Sequence, residues 1–160
     1  MMQTDVKSYH NTVTGVAVNF RTRLKGVIVS PSTSTTYNVS FCDNVSQTGT
    51  YSRTGTLVTV TIANHGLTNG QRVVLEFTTG GVQSDTYIAT VLTANTFTVT
   101  TVASGAATGN VTMYPDVLAE FDCSTATTFY TLFPGEGIVA RHGIYTFIPS
   151  ATVTTTIFYG

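Results

Sequence analysis

Short runs in which apolar and polar residues alternate one by one extend along almost the whole of this 160-residue chain. Successive side chains of a β-strand point to opposite faces, so a period of two is typical of strands that bury one face. No stretch of ten or more residues shows the 3.6-residue apolar repeat of an amphipathic helix. The alternation therefore predicts an all-β protein with almost no helix.

The alternating runs predict a series of short strands bounded by turn-forming residues. These strands are 15–20, 24–29, 37–42, 56–62, 71–77, 85–92, 95–101, 109–114, 117–123, 128–133, 143–148 and 152–159. Asn69-Gly70 favours a type I′ hairpin between two of them, because that turn needs positive φ at both central positions. Ala94-Asn95 is a second tight connection. Gly80-Gly81 and the segment 105–109 are expected to be turns or loops.

Composition excludes several classes of protein. Hydrophobic residues make up 42% of the chain and charged residues only 9%, against about 25% charged in an ordinary soluble domain. A net charge of −1 argues against a protein that tracks nucleic-acid phosphates. The apolar content argues against disorder, and no apolar run approaches the ~20 residues of a membrane span. The segment MMQTDVKSYH has no apolar stretch, so we expect no signal peptide.

The middle of the chain differs from its two ends. Residues 47–113 are rich in Thr, Val and Gly and predict a small up-and-down β module, either a meander or a barrel. The flanks, 1–46 and 114–160, predict a discontinuous, jelly-roll-like β-sandwich into which that module is inserted, since hairpin tips tolerate whole domains. A single eleven-strand sandwich is the alternative.

Each predicted unit is small, and a core of this size rarely supplies more than ~3–5 kcal/mol. Roughly a fifth of the residues are threonine, so the exposed faces carry hydroxyl groups and few charges that would keep sheet edges apart. Such a surface favours packing against copies of the same chain or against a partner.

Cysteine and histidine give weak signals. Cys42 and Cys123 fall on opposite strand faces in the predicted pattern, so we expect two free, buried thiols that suit a reducing compartment. His10, His65 and His142 are far apart and form no metal-binding spacing. They are expected to be exposed loop residues, and a metal site shared between symmetry-related subunits is the alternative.

Carboxylates could form two sites, although both patterns are also common on solvated surfaces. Glu120 and Asp122 share a strand face with Cα atoms ~7 Å apart, a range that suits glycosidase chemistry. Asp43 and Asp116 flank the insertion and could bind Ca²⁺. No motif supports either site, so the sequence predicts no enzyme, no metal and no cofactor.

One basic cluster and one glycine-rich motif stand out. Arg21, Arg23 and Lys25 alternate along one strand, with Lys7 upstream, and are either a candidate contact with an acidic neighbouring subunit or a solvated face. Pro134, Gly135, Glu136 and Gly137 predict a tight turn rather than a phosphate loop, because they precede a strand and include an acid but no lysine.

Three aromatic residues lie at strand spacing. Tyr130, Tyr145 and Phe147 could stack on sugar rings if exposed, but such residues more often belong to a core or an interface.

The middle module resembles a β module of structural proteins in tailed bacteriophages. The resemblance rests on the run from Thr56 to Gly80, TLVTVTIANHGLTNGQRVVLEFTTG, and on its continuations ANTFTVT at 94–100 and GNVT at 109–112. The pattern is fairly specific to virion proteins, without pointing to one position in the virion.

The flanks are similar to small all-β virion proteins of marine short-tailed bacteriophages. The matching segments are DVKSYH at 5–10, RTRLKG at 21–26, PGEGI at 134–138 and VTTTIFYG at 153–160. Members of that group usually lack a middle module, so this chain departs from them between Cys42 and Asp116.

Together the resemblances imply a virion protein assembled in the cytoplasm of the host bacterium. The first prediction is a capsid decoration (cement or knob) protein that binds the head as a symmetric homo-oligomer. The outer sandwich would contact the major capsid protein, with Arg21, Arg23 and Lys25 as the candidate capsid contact, and the module would project. A tail- or fibre-associated adhesin or adaptor that contacts tail proteins and host surface glycan is the second prediction. A glycan-degrading enzyme is the third. None of these requires nucleic acid, a membrane or a cofactor.

Overall fold

The structure is a computed structural model that describes residues 5–160. Its strands are β1 Lys7–Asn11, β2 Gly15–Val18, β3 Thr22–Pro31, β4 Asn38–Asp43, β5 Gln47–Thr61, β6 Arg72–Phe77, β7 Asp85–Ile88, β8 Thr90–Thr93, β9 Thr96–Tyr114, β10 Val117–Asp122, β11 Phe129–Leu132, β12 Ile138–Ala140, β13 Ile144–Phe147 and β14 Val153–Tyr159. No helix occurs within residues 5–160, which confirms the all-β prediction. Accordingly, that part of the chain holds no helix able to cross a bilayer.

The chain divides into two compact units. One ends at Asn44 and resumes at Leu118, and the other comprises Val45–Val117. Positions 1–4, which the sequence analysis places in the outer unit, lie outside the described residues. Each unit has its own hydrophobic core.

The outer unit is a jelly-roll sandwich. Its first sheet has the strand order β1-β14-β3-β11, with β12 also paired to β3, and its second has the order β10-β4-β13-β2. β1 and β3 belong to the first sheet, and β2 and β4 belong to the second. The later strands β10, β11, β13 and β14 pair with these four. Leaving aside the short β12, this interleaving of four strands in each sheet is the double Greek key of a jelly roll. β4 and β10 are neighbours in the second sheet, so the insertion occupies the connection between two adjacent strands.

The core of the outer unit is formed where the two sheets face each other. Alternate residues of β3 and β14 point inward, because the register pairs Val29 with Thr155 and Val27 with Ile157. The buried apolar members of this core are Val18, Leu24, Val27, Val29, Val39, Phe41, Cys123, Ala140, Ile144, Ile148, Val153 and Ile157. The alternation that predicted strands thus also specifies which side chains are buried.

The inserted unit is one bent, open sheet with the order β5-β9-β6-β7, in which β8 also pairs with β9. The sheet is not closed into a barrel. It is not a simple meander either, because β5, the first strand of the unit, pairs with β9, the last one, rather than with β6. β5 and β9 pair along most of their lengths, with an irregularity between Gly55 and Leu57. Gly49 of β5 approaches the carbonyl of Thr61 of the same strand so closely that a Cβ would not fit. The strand therefore curls back, and the two halves of the sheet enclose the core.

Several predicted boundaries are wrong. β5 begins at Gln47 rather than at 56, and the run 85–92 is divided at Ala89 into β7 and β8. The segment 105–109 is not a loop but part of β9, which joins the two strands expected at 95–101 and 109–114. A glycine is needed at position 109 because the backbone of Thr79 packs directly against it and leaves no room for a side chain.

The predicted Asn69-Gly70 hairpin is also wrong. β5 and β6 are not neighbours, because β9 lies between them. The turn is closed by a hydrogen bond from Gln71 N to Thr68 O (3.1 Å), and of its two central residues only Gly70 has positive φ. This suits a type II turn, which needs positive φ at one position. The Ala94-Asn95 connection is confirmed as a two-residue turn between β8 and β9.

Candidate functional site

The basic cluster and the glycine-rich turn, far apart in sequence, lie together in the outer unit. The guanidinium of Arg23 makes an ion pair with Glu136 (3.2 Å) and donates to the carbonyl oxygen of Gly137 (3.4 Å). Lys25 Nζ donates to the carbonyl oxygen of Glu136 (2.7 Å), and its side chain is only 8% exposed. Gly137 N donates to Pro134 O (3.3 Å), which closes the turn. Two of the three basic candidates therefore have partners inside the unit.

Arg21 is the basic candidate that faces solvent. It makes no hydrogen bond or ion pair within residues 5–160 and precedes β3 at the surface. Together with Thr22, Arg23, Val139 and Gly160 it lines an open groove of about 300 Å³. The role of these residues in a subunit or capsid contact stays a prediction, and Arg21 is the member best placed for it.

His65 is not an exposed loop residue, contrary to the prediction. Its ring is buried in the inserted unit and packs edge-on against Phe97, with centroids 5.2 Å apart. Leu67 N donates to Nδ1 (3.0 Å), so Nδ1 is an acceptor and Nε2 carries the proton that is donated to the Thr93 carbonyl oxygen (2.9 Å). The imidazole thus fixes the loop that precedes β6.

His142 is held by a buried carboxylate. Asp43 is buried at the end of β4, and its two oxygens accept hydrogen bonds from His142 N (2.8 Å) and His142 Nδ1 (3.0 Å). Asn44 N also donates to Gly143 O (3.1 Å). These bonds join the end of β4 to the turn before β13, at the point where the chain leaves the outer unit. His10 lies in β1 rather than in a loop and contacts Thr156 Oγ1 (2.9 Å).

Replacing Asp43 by asparagine should lower the free energy of unfolding of the outer unit by about 1–3 kcal/mol, because charge-assisted bonds to a buried acceptor are lost. Urea denaturation followed by circular dichroism measures this. Asp116→Asn is the matched control, since Asp116 is exposed, and it should change stability by no more than ~0.5 kcal/mol. Equal effects of the two substitutions would contradict the structural role of Asp43.

The predicted carboxylate pairs have separate structural partners. Glu120 accepts a hydrogen bond from the Asn38 side chain. Asp122 accepts from Ser124 N (2.7 Å) and from Ser124 Oγ (3.1 Å), which closes a local turn. Asp43 is occupied by His142, so it does not have the open geometry expected of a Ca²⁺ ligand. Within residues 5–160, no three acidic, histidine or cysteine side chains converge on a possible metal position.

The two cysteines are free and buried, as predicted. Cys123 belongs to the core of the outer unit, and its Sγ contacts the carbonyl oxygen of Phe121 (3.8 Å). Burial is the main cause that raises the pKa of the Cys123 thiol; a backbone hydrogen bond with Val39 lowers this pKa in part, and the charge of Asp122 raises it by a smaller amount. The thiolate, which is the reactive form, is therefore disfavoured.

Both thiols should resist a thiol-specific reagent such as DTNB in the native protein at mildly alkaline pH. Because the raised pKa of Cys123 reduces its thiolate fraction, reaction should require unfolding. The absorbance of the released thionitrobenzoate measures the reaction. As the control, the protein unfolded in guanidinium should release two equivalents per chain, one for each thiol. Rapid release of one equivalent without denaturant would contradict the prediction.

The three candidate aromatic residues do not form one platform. Tyr145 and Phe147 are buried in β13. Tyr130 is 55% exposed on the first sheet and packs edge-on against Phe158, with ring centroids 6.1 Å apart. The idea of a three-residue sugar platform is therefore wrong, and Tyr130 alone remains at the surface.

The inserted unit contains an open cleft of about 330 Å³ that no sequence pattern indicates. It is lined by Asn64, His65, Gly66, Leu67, Val91, Thr93 and Ala94. Asn64 has φ of 49°, a conformation uncommon for a residue other than glycine. Its backbone N donates to the Asn95 side chain (2.9 Å), which holds the rim in place. The Asn-His-Gly sequence signals a special backbone here, but the pairing of β5 with β9, continued by the bond from His65 N to Ala94 O (3.2 Å), brings 91–94 beside it.

No protein-family model matches the sequence, and no curated protein is similar to it. Among solved structures, the chain is similar to an endosialidase of phage phi92, with 16% sequence identity and a TM-score of 0.36. The alignment covers 80% of this chain and 20% of that protein, so the chain spans about a fifth of its length. At this TM-score the likeness carries no conclusion about fold or activity.

Proposed function

We propose that this chain is a non-catalytic structural protein of a tailed bacteriophage particle, and that it decorates the capsid as a symmetric homo-oligomer. The outer sandwich binds the major capsid protein, and the inserted unit projects from it. Assembly takes place in the cytoplasm of the host bacterium, without nucleic acid, membrane or cofactor. The proposal starts from the resemblance of the middle module and of the two flanks to virion proteins.

One structural observation supports it most. A jelly roll is interrupted between the neighbouring strands β4 and β10 by a second unit with its own core. Jelly rolls occur among viral capsid and lectin domains. An insertion between adjacent strands leaves the remaining strands of the sandwich free to bind a lattice. Weak contacts repeated over many copies then give high avidity.

The copy number per particle tests the proposal. Quantitative mass spectrometry of purified virions, with antibody labelling in the electron microscope, should show hundreds of copies distributed over the head. A variant in which residues 45–116 are replaced by a short Gly-Ser linker is the matched control, since β10 begins at Val117. Because the linker joins neighbouring strands, this variant should fold and still bind heads. Label confined to the tail vertex would refute capsid decoration.

The cleft of the inserted unit favours a second candidate, a tail- or fibre-associated adhesin that contacts host glycan. None of the cleft-lining residues carries a formal charge when His65 is neutral, and the Asn64 amide lies at the rim, which suits neutral sugar hydroxyl groups better than ionic ligands. A glycan array with the whole chain tests this function. Asn64→Gly removes the amide while tolerating positive φ, so it should abolish any sugar binding without unfolding the unit. Equal binding by the variant and the parent would exclude the cleft.

A further inference from the structure

The outward side of the first sheet is built from alternate residues of four adjacent strands. The register places Phe158 beside Gly26, and Gly26 beside Leu132; in the next row Ile28 lies between Thr156 and Tyr130. We call this surface the outer-sheet face. Its positions are Ser8, His10, Gly26, Ile28, Ser30, Thr128, Tyr130, Leu132, Thr154, Thr156 and Phe158.

The centre of the outer-sheet face is apolar and exposed. Tyr130 and Leu132 are 55% and 61% exposed, and Ile28 and Phe158 beside them are half-buried. Leu132 packs over Gly26, where the missing Cβ leaves room for it. The four side chains thus form one continuous patch across β14, β3 and β11. Continuous apolar patches of this kind usually mark interaction sites.

The outer-sheet face carries no lysine, arginine, aspartate or glutamate at any of its eleven positions, in a chain of which 9% is charged. Four of its polar side chains also bond in pairs. His10 Nδ1 contacts Thr156 Oγ1 (2.9 Å), and Thr128 Oγ1 donates to Ser30 Oγ (3.1 Å). Because these four groups already have partners, covering them leaves fewer polar groups of the face unsatisfied.

We propose that two copies of this chain pair through the outer-sheet face about a twofold axis. In a twofold interface the same patch meets itself, so any charge on it would lie close to its own copy. A face without formal charge avoids that repulsion, and its sheet can stack on a second sheet at a spacing of about 10 Å. The inference rests on the homo-oligomer of the proposed function and assigns its contact surface.

Sedimentation velocity over a wide range of protein concentration tests the inference on the whole chain. The parent chain should form a dimer, and Leu132→Asp should raise the dissociation constant by ~100-fold or more, because a carboxylate would be buried without a partner. Val13→Asp is the matched control. Val13 is 70% exposed in the same unit but lies outside the face, so this variant should dimerise like the parent.

Tyr130→Ser is a second variant, for use if Leu132→Asp changes the circular dichroism spectrum, and it should also weaken the dimer. A parent chain that stays monomeric at every concentration, or a dimer equally insensitive to all three substitutions, would overturn the inference. Monomers whose binding to a glycan array depends on Tyr130 would assign the face to sugar instead. A dimer found only at the tail vertex would refute capsid decoration and leave the interface standing.

Discussion

Phe41→Ala should lower the free energy of unfolding of the outer unit by about 3–5 kcal/mol, the usual cost of removing a buried aromatic side chain. Phe41 is fully buried between the two sheets and meets Phe121 edge-on, with ring centroids 5.9 Å apart. Its removal leaves a cavity that the rigid strands on both sides cannot fill. Guanidinium denaturation followed by circular dichroism measures the loss.

Phe20→Ala is the matched control for this substitution. Phe20 also makes an edge-on aromatic contact, with Tyr159 at 6.3 Å, but it is 52% exposed. Its replacement should cost no more than ~1 kcal/mol, because little apolar surface is returned to water. If Phe20→Ala were as costly as Phe41→Ala, the assignment of Phe41 to the core of the sandwich would be wrong.

Gly80→Ala should destabilise the inserted unit far more than Gly81→Ala. Both glycines have positive φ, 84° and 70°, so alanine costs about 1–2 kcal/mol at either position. At Gly80, the added Cβ would also overlap the Thr108 carbonyl oxygen and the Tyr51 hydroxyl group, whereas at Gly81 the space is open. Overpacking adds typically about 1–3 kcal/mol. The difference in stability between the two variants therefore measures the cost of the steric overlap at Gly80.

The added methyl group at position 80 is costly because Tyr51, which it would meet, is held in place by two contacts. Its hydroxyl group donates to the Thr79 carbonyl oxygen (2.7 Å), and its ring packs edge-on against Phe77 with centroids 4.7 Å apart. A methyl group at position 80 would displace this hydroxyl. Thermal unfolding of the two variants, measured by calorimetry, gives the comparison. Equal unfolding temperatures would show that positive φ alone explains the glycine at position 80.

Most strands with an apolar alternation could be predicted from the sequence. In β14 the buried residues Val153, Thr155 and Ile157 alternate with partly exposed ones, and periodicity detects such a strand directly. β1 was missed, because in KSYHN only Asn11 is buried. That edge strand is specified by its pairing with β14, which no local pattern reports.

In the candidate site too, local features could be predicted from the sequence and long-range contacts could not. The alternation of Arg23 and Lys25, and the turn at 134–137, follow from local residue types. The sequence did not predict that they contact each other, because the bonds join residues 111 and 114 positions apart. His65 was expected in solvent for a related reason. Its burial depends on Phe97 and Thr93, which the long-range pairing of β5 with β9 brings near.

The sequence by itself determined that this chain is all-β, that its thiols are free and that Ala94-Asn95 is a tight turn. These properties depend on side-chain alternation and turn chemistry, which act over a few residues. Tertiary structure decided the rest: that β5 pairs with β9 and not β6, that the sheet of the inserted unit stays open, and that the outer-sheet face is continuous. Each of these requires strands from distant parts of the chain to choose one another. That choice depends on the total surface buried by the whole arrangement, which no short segment contains.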